Sequence, residues 1–135
     1  MEKLTFTMEN YLEAIYELSK EEETGARVSD IAERLGFTRP STSVAMTTLS
    51  RKGLITNEKF REIFLTPAGR KLAELTSRKH QIIREFFIDI LRIDPSIADV
   101  NACAIEHVIS SGSIQAMQEF LKEHKESKRH RRIQP

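Results

Sequence analysis

Apolar residues recur at helical spacing along most of this chain, and the places where that spacing breaks divide it into elements. Met8, Tyr11, Leu12, Ile15 and Leu18 mark one face of a first helix, with Thr7 placed to cap it and Gly25 beyond the charged run that ends at Glu23. A short second helix follows, capped by Ser29, apolar at Ile31, Ala32 and Leu35, and stopped by the left-handed preference of Gly36. Thr38 opens a third helix that tolerates Pro40 in its first turn, carries Thr42, Met46 and Leu49 as an inward row at i, i+4 and i+7, and closes at Gly53. Two short helices joined by about three or four residues that include Gly predict a helix-turn-helix.

The period then changes. Leu54 to Thr66 reads as two short strands, "LIT" and "EIFLT", around a polar and basic turn from Asn57 to Arg61, which predicts a hairpin wing. Thr66 and Pro67 start a long helix whose stripe is Leu72, Leu75, Ile82, Ile83, Phe86, Phe87 and Ile90, ending near Leu91. A further helix begins at Pro95 or Ser96 and reaches roughly Ser110; Ser113 caps a last one bearing Ile114, Met117, Phe120 and Leu121. From Lys122 the run "KEHKESKRHRRIQP" is too charged to pack and predicts a frayed, disordered basic tail. The expected fold is mainly α: a winged helix-turn-helix over residues 1–72, an all-helical domain over 73–124 and the tail over 125–135.

Composition narrows the class. A chain of 135 residues can bury one real core but excludes a large multi-domain enzyme, and 39% hydrophobic residues argue for a folded protein. The first twenty residues contain Glu9, Glu13 and Glu17 and no unbroken apolar core, so neither a signal peptide nor a membrane span is expected, and the expected address is the cytoplasm. The one cysteine, Cys103, cannot form an internal disulfide. A net charge of +1 hides an uneven distribution. Nine acidic residues face only Lys3, Lys20 and Arg27 up to Glu33, whereas from Arg34 to Arg61 six basic residues face Glu58 alone. A basic island of this kind marks a segment that meets phosphates, because Lys and Arg release condensed counterions; a merely solvated basic surface has the same composition.

With Thr42, Met46 and Leu49 turned inward, the other side of the third helix presents Ser41, Ser43, Val44, Thr47, Thr48 and Arg51. Small and hydroxyl-bearing side chains let a helix approach the floor of the major groove, where hydroxyls bond base edges or phosphates and Val44, Thr47 or Pro40 can touch a thymine methyl. Thr38, Arg39 and Ser41 at the helix start, with Asn57, Lys59 and Arg61 on the wing, are candidates for phosphate contacts that set register. The same Ser and Thr would also serve simply as caps, and winged helices also act as protein-interaction modules.

In the second half, "CAIEH" sets Cys103, Glu106 and His107 at i, i+3 and i+4, on one helical face. Thiolate, carboxylate and imidazole are metal-ligand types; His80 could add a donor from the preceding helix, and Asn10, Glu13 and Glu17 stand on the acidic face of the first. Each residue also has a plain structural use: a buried small cysteine, a satisfied histidine, a solvated acidic face.

The segments "TMENYLEAIYEL", "VSDIAERLGFTRPSTSVAMTTLSRKGLI", "LTPAGRKLA", "RKHQII" and "CAIEHVIS" in this order resemble the diphtheria toxin repressor and manganese transport regulator family, over approximately Thr5 to Phe120. That resemblance implies a homodimer whose winged helices bind a palindromic double-stranded DNA operator of metal-homeostasis genes, with divalent iron or manganese as corepressor bridging the two halves. It implies metal ligands at Glu13, His80, Cys103, Glu106 and His107, with Asn10 at the variable position of the first helix, where relatives carry Met or Asp. It further implies a dimer surface on the last two helices through Ile114, Met117, Phe120 and Leu121. Cys103 stands where manganese-selective members carry a carboxylate, and a thiol shifts preference toward softer ions, so Fe(II) is favoured over Mn(II), with Zn(II) or Co(II) able to bind in vitro. Arg84 replaces an acidic ancillary ligand of the longer members, and the expected form is a short one without their SH3-like domain.

The expected mechanism is a latch in which metal ties the first helix to the penultimate one and fixes the two recognition helices about one DNA turn apart. No enzymatic activity and no small-molecule substrate are expected. Three rivals remain: a metal-independent winged-helix regulator with Cys103 as a redox or structural residue, a small metalloenzyme using Glu106 as base, and a winged-helix scaffold without DNA affinity.

Overall fold

Residues 4–19, 25–57 and 62–133 are described by the structure, a computed structural model, with side chains as far as residue 129. They form two compact units, Met1–Ser77 and Arg78–Pro135. The division falls inside a helix that spans Pro67–Asp89, about one turn later than the boundary expected at residue 72.

The first unit contains α1 (Phe6–Ser19), β1 (Ala26–Arg27), α2 (Val28–Leu35), α3 (Arg39–Arg51), β2 (Ile55–Asn57), β3 (Glu62–Leu65) and the beginning of α4 (Pro67–Asp89). The amphipathic stripe of α1 buries Tyr11, Leu12, Ala14 and Ile15 against Ile31, Met46, Leu49, Ile55 and Ile63. The Thr5 hydroxyl, rather than Thr7, accepts from Met8 N at 3.2 Å at the start of α1. Likewise α2 begins at Val28 with Arg27 as a cap that offers no side-chain bond, which puts Ser29 inside the helix. Gly36 does terminate α2 in the left-handed region, at φ 71°.

The sheet order is β1-β3-β2, both pairings antiparallel, with Ala26 opposite Ile63 and Ile55 opposite Leu65. The expected hairpin is therefore present, and β1 adds an edge that two residues are too short to signal by alternation. A polar stitch fastens the start of α4 to the end of the helix-turn-helix. Thr66 Oγ1 donates to the Gly53 carbonyl at 2.7 Å and accepts from Gly69 N at 3.1 Å, while Thr66 N donates to the Leu54 carbonyl at 3.1 Å. The approach is so close that a Cβ on Gly69 would lie 1.9 Å from the Leu54 carbonyl oxygen.

The second unit comprises the rest of α4, then α5 (Pro95–Ile105) and α6 (Ser111–Ile133). Its core joins Ile82, Ile83, Ala102, Ile114 and Leu121, flanked by Phe86, Phe87, Ile90 and Met117. Asp94 caps α5 by accepting from Ser96 N at 2.9 Å, and Ser110 caps α6 by accepting from Ser113 N at 3.1 Å, so the cap sits three residues before the expected Ser113. Two lengths depart from expectation. The penultimate helix stops at Ile105, not near Ser110, and α6 runs on to Ile133, where a disordered tail was expected. Lys, Glu and Arg are good helix formers, and neither Gly nor Pro interrupts residues 122–133, so the charge that keeps this segment out of the core does not keep it from being helical.

Candidate metal centre and nucleic-acid interface

The second unit gathers part of the sequence-derived ligand set around one carboxylate. Glu106 is the C-cap of α5 and His107 follows in the turn, so both project from a helix end, not from a continuing helix. The Glu106 side chain is fully buried, and His107 is nearly so at 3% exposure. His80, on α4, places Nδ1 3.0 Å from Glu106 Oε2; His107 Nε2 lies 3.3 Å from Oε1 without forming a hydrogen bond to it. The Lys79 ammonium donates to the Ile109 carbonyl at 3.2 Å, which fastens the turn after α5 to α4.

A residue that the sequence reading did not select completes the cluster. Asp99 Oδ1 lies 2.8 Å from His80 Nε2 and 3.4 Å from Arg84 Nε. Asp99, Cys103 and Glu106 are spaced i, i+4 and i+7, the spacing of one helical stripe, and that signal was available beside the Cys-x-x-Glu-His motif. Hydrogen bonding to Glu106 raises the His80 pKa from 6.5 to about 9, with Asp99 adding to the effect and burial opposing it. His80 is therefore an imidazolium at neutral pH, and each ring nitrogen donates to a carboxylate.

Cys103 lies on α5 but is exposed. Asn10 and Glu13 lie half-buried on α1 in the first unit, at the i, i+3 spacing that gives them a common face. By chemistry the donors suit a divalent transition ion: two imidazoles, a buried carboxylate whose Oε1 accepts no hydrogen bond, and a thiol one turn earlier. By arrangement both imidazoles face the Glu106 carboxylate. Among the described residues no group of three or more His, Cys, Asp or Glu side chains is arranged to hold an ion, and both ring nitrogens of His80 are engaged by carboxylates.

In the first unit, α3 has the two-sided character expected of a reading helix. Thr42, Ala45, Met46 and Leu49 are buried, and the Tyr11 hydroxyl meets Thr42 Oγ1 at 3.5 Å in the interior. Thr38 caps the helix, accepting from Ser41 N at 3.2 Å and donating to Ser41 Oγ at 2.9 Å. Ser41, Ser43, Val44, Thr47 and Arg51 are exposed, Val44 to 68%. The threonine hydroxyls are less free than composition suggests. Thr47 Oγ1 donates to the Ser43 carbonyl at 3.2 Å and Thr48 Oγ1 to the Val44 carbonyl at 3.3 Å, which leaves acceptor lone pairs and methyl groups on the outer surface. Arg39, Pro40 and Asn57 are exposed, while Lys59 and Arg61 lie outside the described residues.

The residues expected at a dimer surface divide. Ile114 and Leu121 are taken up by the core of their own unit and Met117 is partly buried, so Phe120 alone of that set is exposed, at 49%, with its ring edge-on to Phe86 at 5.8 Å. On α5, Ile97 and Val100 are exposed to 55% and 70%.

Residues 3–63 match the N-terminal DNA-binding domain of the iron-dependent repressors, and residues 66–135 match the metal-binding and dimerisation domain of the same family. The chain is 36% identical over 123 residues to the diphtheria toxin repressor of Corynebacterium diphtheriae, covering 91% of this chain and 54% of that protein. It is 34% identical over 117 residues to the transcriptional regulator MntR of Escherichia coli, covering 87% of this chain and 74% of that one. Thus the chain spans about half the length of the first relative and most of the second. Among solved structures, the manganese regulator SloR superposes with a TM-score of 0.75 at 30% identity, over 85% of this chain and 53% of SloR. The IdeR protein of T. acidophilum gives 0.76 at 25% identity, over 90% and 56%.

Proposed function

Because the chain belongs to the iron-dependent repressor family of metal-dependent transcriptional repressors, we propose that it is itself such a repressor, binding a palindromic operator as a homodimer when loaded with a divalent metal. The observation that carries this reading is Glu106, a buried carboxylate held between two imidazoles at the end of α5. A carboxylate in that position, away from water, needs a cation, and His80 supplies one only while it keeps a proton.

His80, Cys103, Glu106 and His107 are the residues that would hold the ion in the second unit, with Glu13 and Asn10 of α1 completing the set. When bound, the ion supplies positive charge and directed bonds in place of the His80 proton. An ion that binds one conformation of the chain better than another shifts the population toward it, which is the latch that admits DNA. The Cys103 thiol favours Fe(II) over Mn(II), with Zn(II) and Co(II) as in vitro substitutes. Val44, Pro40 and the methyls of Thr47 and Thr48 read the groove, while Thr38, Arg39, Ser41, Ser43 and Arg51 with Asn57, Lys59 and Arg61 set the frame on the phosphates. Ile97, Val100 and Phe120 offer exposed apolar surface on which a partner protomer would pack. The protein acts by binding and not by turnover, and works in the cytoplasm; no described helix is long and apolar enough to cross a membrane.

The test is DNA binding by fluorescence anisotropy across a panel of divalent metals, with a chelator arm and the His107→Ala variant. Metal-dependent affinity that chelator abolishes and His107→Ala weakens at least about ten-fold is expected; affinity indifferent to both defeats the reading. The exposure of Cys103 favours one alternative, a metal-independent regulator gated by thiol chemistry. In that case alkylating Cys103 would change DNA affinity in the presence of chelator.

A further inference from the structure

The second half of α6 carries a surface that neither the metal centre nor the reading helix uses. Between Lys122 and Arg132 there are six Lys or Arg residues against Glu123 and Glu126, and no apolar residue. Helical geometry separates these charges. At 3.6 residues per turn, Lys122, Lys125, Lys128 and Arg129 fall within an arc of about 120°, whereas Glu119, Glu123 and Glu126 fall within about 60° on another side. The basic arc prolongs the line of Ile114 and Leu121, the residues through which α6 packs into its core. Lys125 is held by Glu85 of α4. Lys122, Lys128 and Arg129 are exposed, and none of them makes an ion pair among the described residues.

A simple dipole-offsetting role accounts for cations in the final turn of a helix only. Here they begin at Lys122, about three turns before Ile133. An amphipathic helix that enters a lipid surface needs an apolar face, and this stretch has none. What remains is a rod with cations along one side and nothing to insert, the form that suits a uniformly charged polyanion.

We propose that the basic arc of α6 formed by Lys122, Lys128 and Arg129 is a second DNA contact, which holds the phosphate backbone without reading sequence. This rests on the chain being a DNA-binding repressor. Operator affinity then has two parts: α3 supplies base discrimination, and α6 supplies a salt-sensitive increment common to all duplexes.

The experiment compares full-length chain with the Lys122→Gln/Lys128→Gln/Arg129→Gln variant and, as control, Glu119→Gln/Glu123→Gln/Glu126→Gln, on operator and random duplex over a range of salt. Glutamine keeps helix propensity, and circular dichroism checks that α6 persists. Expected is a slope of log Kobs against log salt that is shallower by about 2 or more in the basic-arc variant, on both duplexes, with at least about ten-fold weaker binding at low salt and an unchanged ratio between metal-loaded and metal-free affinity. The control should keep the parental slope. Metal-dependent binding by the parent with the same slope in the basic-arc variant overturns the α6 contact alone. Equal slope changes in both variants also overturn it, since net charge would then be responsible. Capture by anionic phospholipid vesicles that the basic-arc variant loses, with DNA slopes unmoved, reassigns the arc and overturns it too. If the parent binds DNA without regard to metal while the slope still falls in the variant, the repressor reading fails and the α6 contact stands.

Discussion

His80 is the pivot of the proposed metal centre, because its two ring nitrogens are committed to Glu106 and Asp99. The folded chain raises its pKa from 6.5 to about 9, so the stabilisation is complete below pH 6.5, declines as pH rises, and is gone above about 9. Urea denaturation of the metal-free protein should show stability falling across that window by up to about 3 kcal/mol, and His80→Gln should flatten this part of the profile. The same proton competes with metal, so affinity for the ion should rise with pH until about 9 and do so less steeply in His80→Gln. On the DNA side, the bonds that Thr47 and Thr48 make to their own helix leave Val44 as the most exposed apolar group on α3. Exchanging a thymine at its contact for uracil removes one methyl and should weaken binding by about 0.8 kcal/mol, roughly four-fold, while Val44→Ala should be insensitive to the exchange. The residue types at both sites were legible in the chain; what their hydrogens do was not. Nothing in "VAMTTLS" says that two hydroxyls turn back on the backbone, and nothing in "CAIEH" says that Asp99, four residues earlier, takes the far nitrogen of His80.

At the scale of elements, the helices and the β2–β3 hairpin follow from periodicity because each buries one side, and a buried side leaves a repeating mark. Their ends do not, since an end is fixed by a few local hydrogen bonds for which neighbouring Ser and Thr compete. Thr5 wins over Thr7 at α1, and Ser110 over Ser113 at α6. The misjudged lengths of α5 and α6 have the same origin: burial marks where a helix packs, and α6 continues past the point where it packs. The Thr66–Gly69 stitch makes a sharper demand than any pattern. Gly69→Ala would drive a methyl into the Leu54 carbonyl and should cost at least about 2 kcal/mol by chemical denaturation. Thr38→Ala removes the α3 cap and should cost about 1 kcal/mol, with a further loss of DNA affinity as the reading helix frays at its start.

For the whole molecule, a latch imposes reciprocity. If metal tightens operator binding by some factor, operator must tighten metal binding by the same factor, so calorimetric metal titrations with and without DNA should differ by the ratio seen in anisotropy. Unequal factors would show that the two sites are not linked through one equilibrium. How readily such a latch responds depends on where its ligands are mounted. The regular part of α5 stops at Ile105, which leaves Glu106 and His107 in a turn pinned by Lys79 to the Ile109 carbonyl. Ligands on an uninterrupted helix would have to carry the helix with them; these can be re-aimed by peptide rotations over a few residues. In hydrogen–deuterium exchange, the amides just beyond Ile105 should therefore open and close without the rest of α5 in the metal-free chain, and lose that freedom on loading. In the proposed latch, capture would then begin as breathing at a helix end.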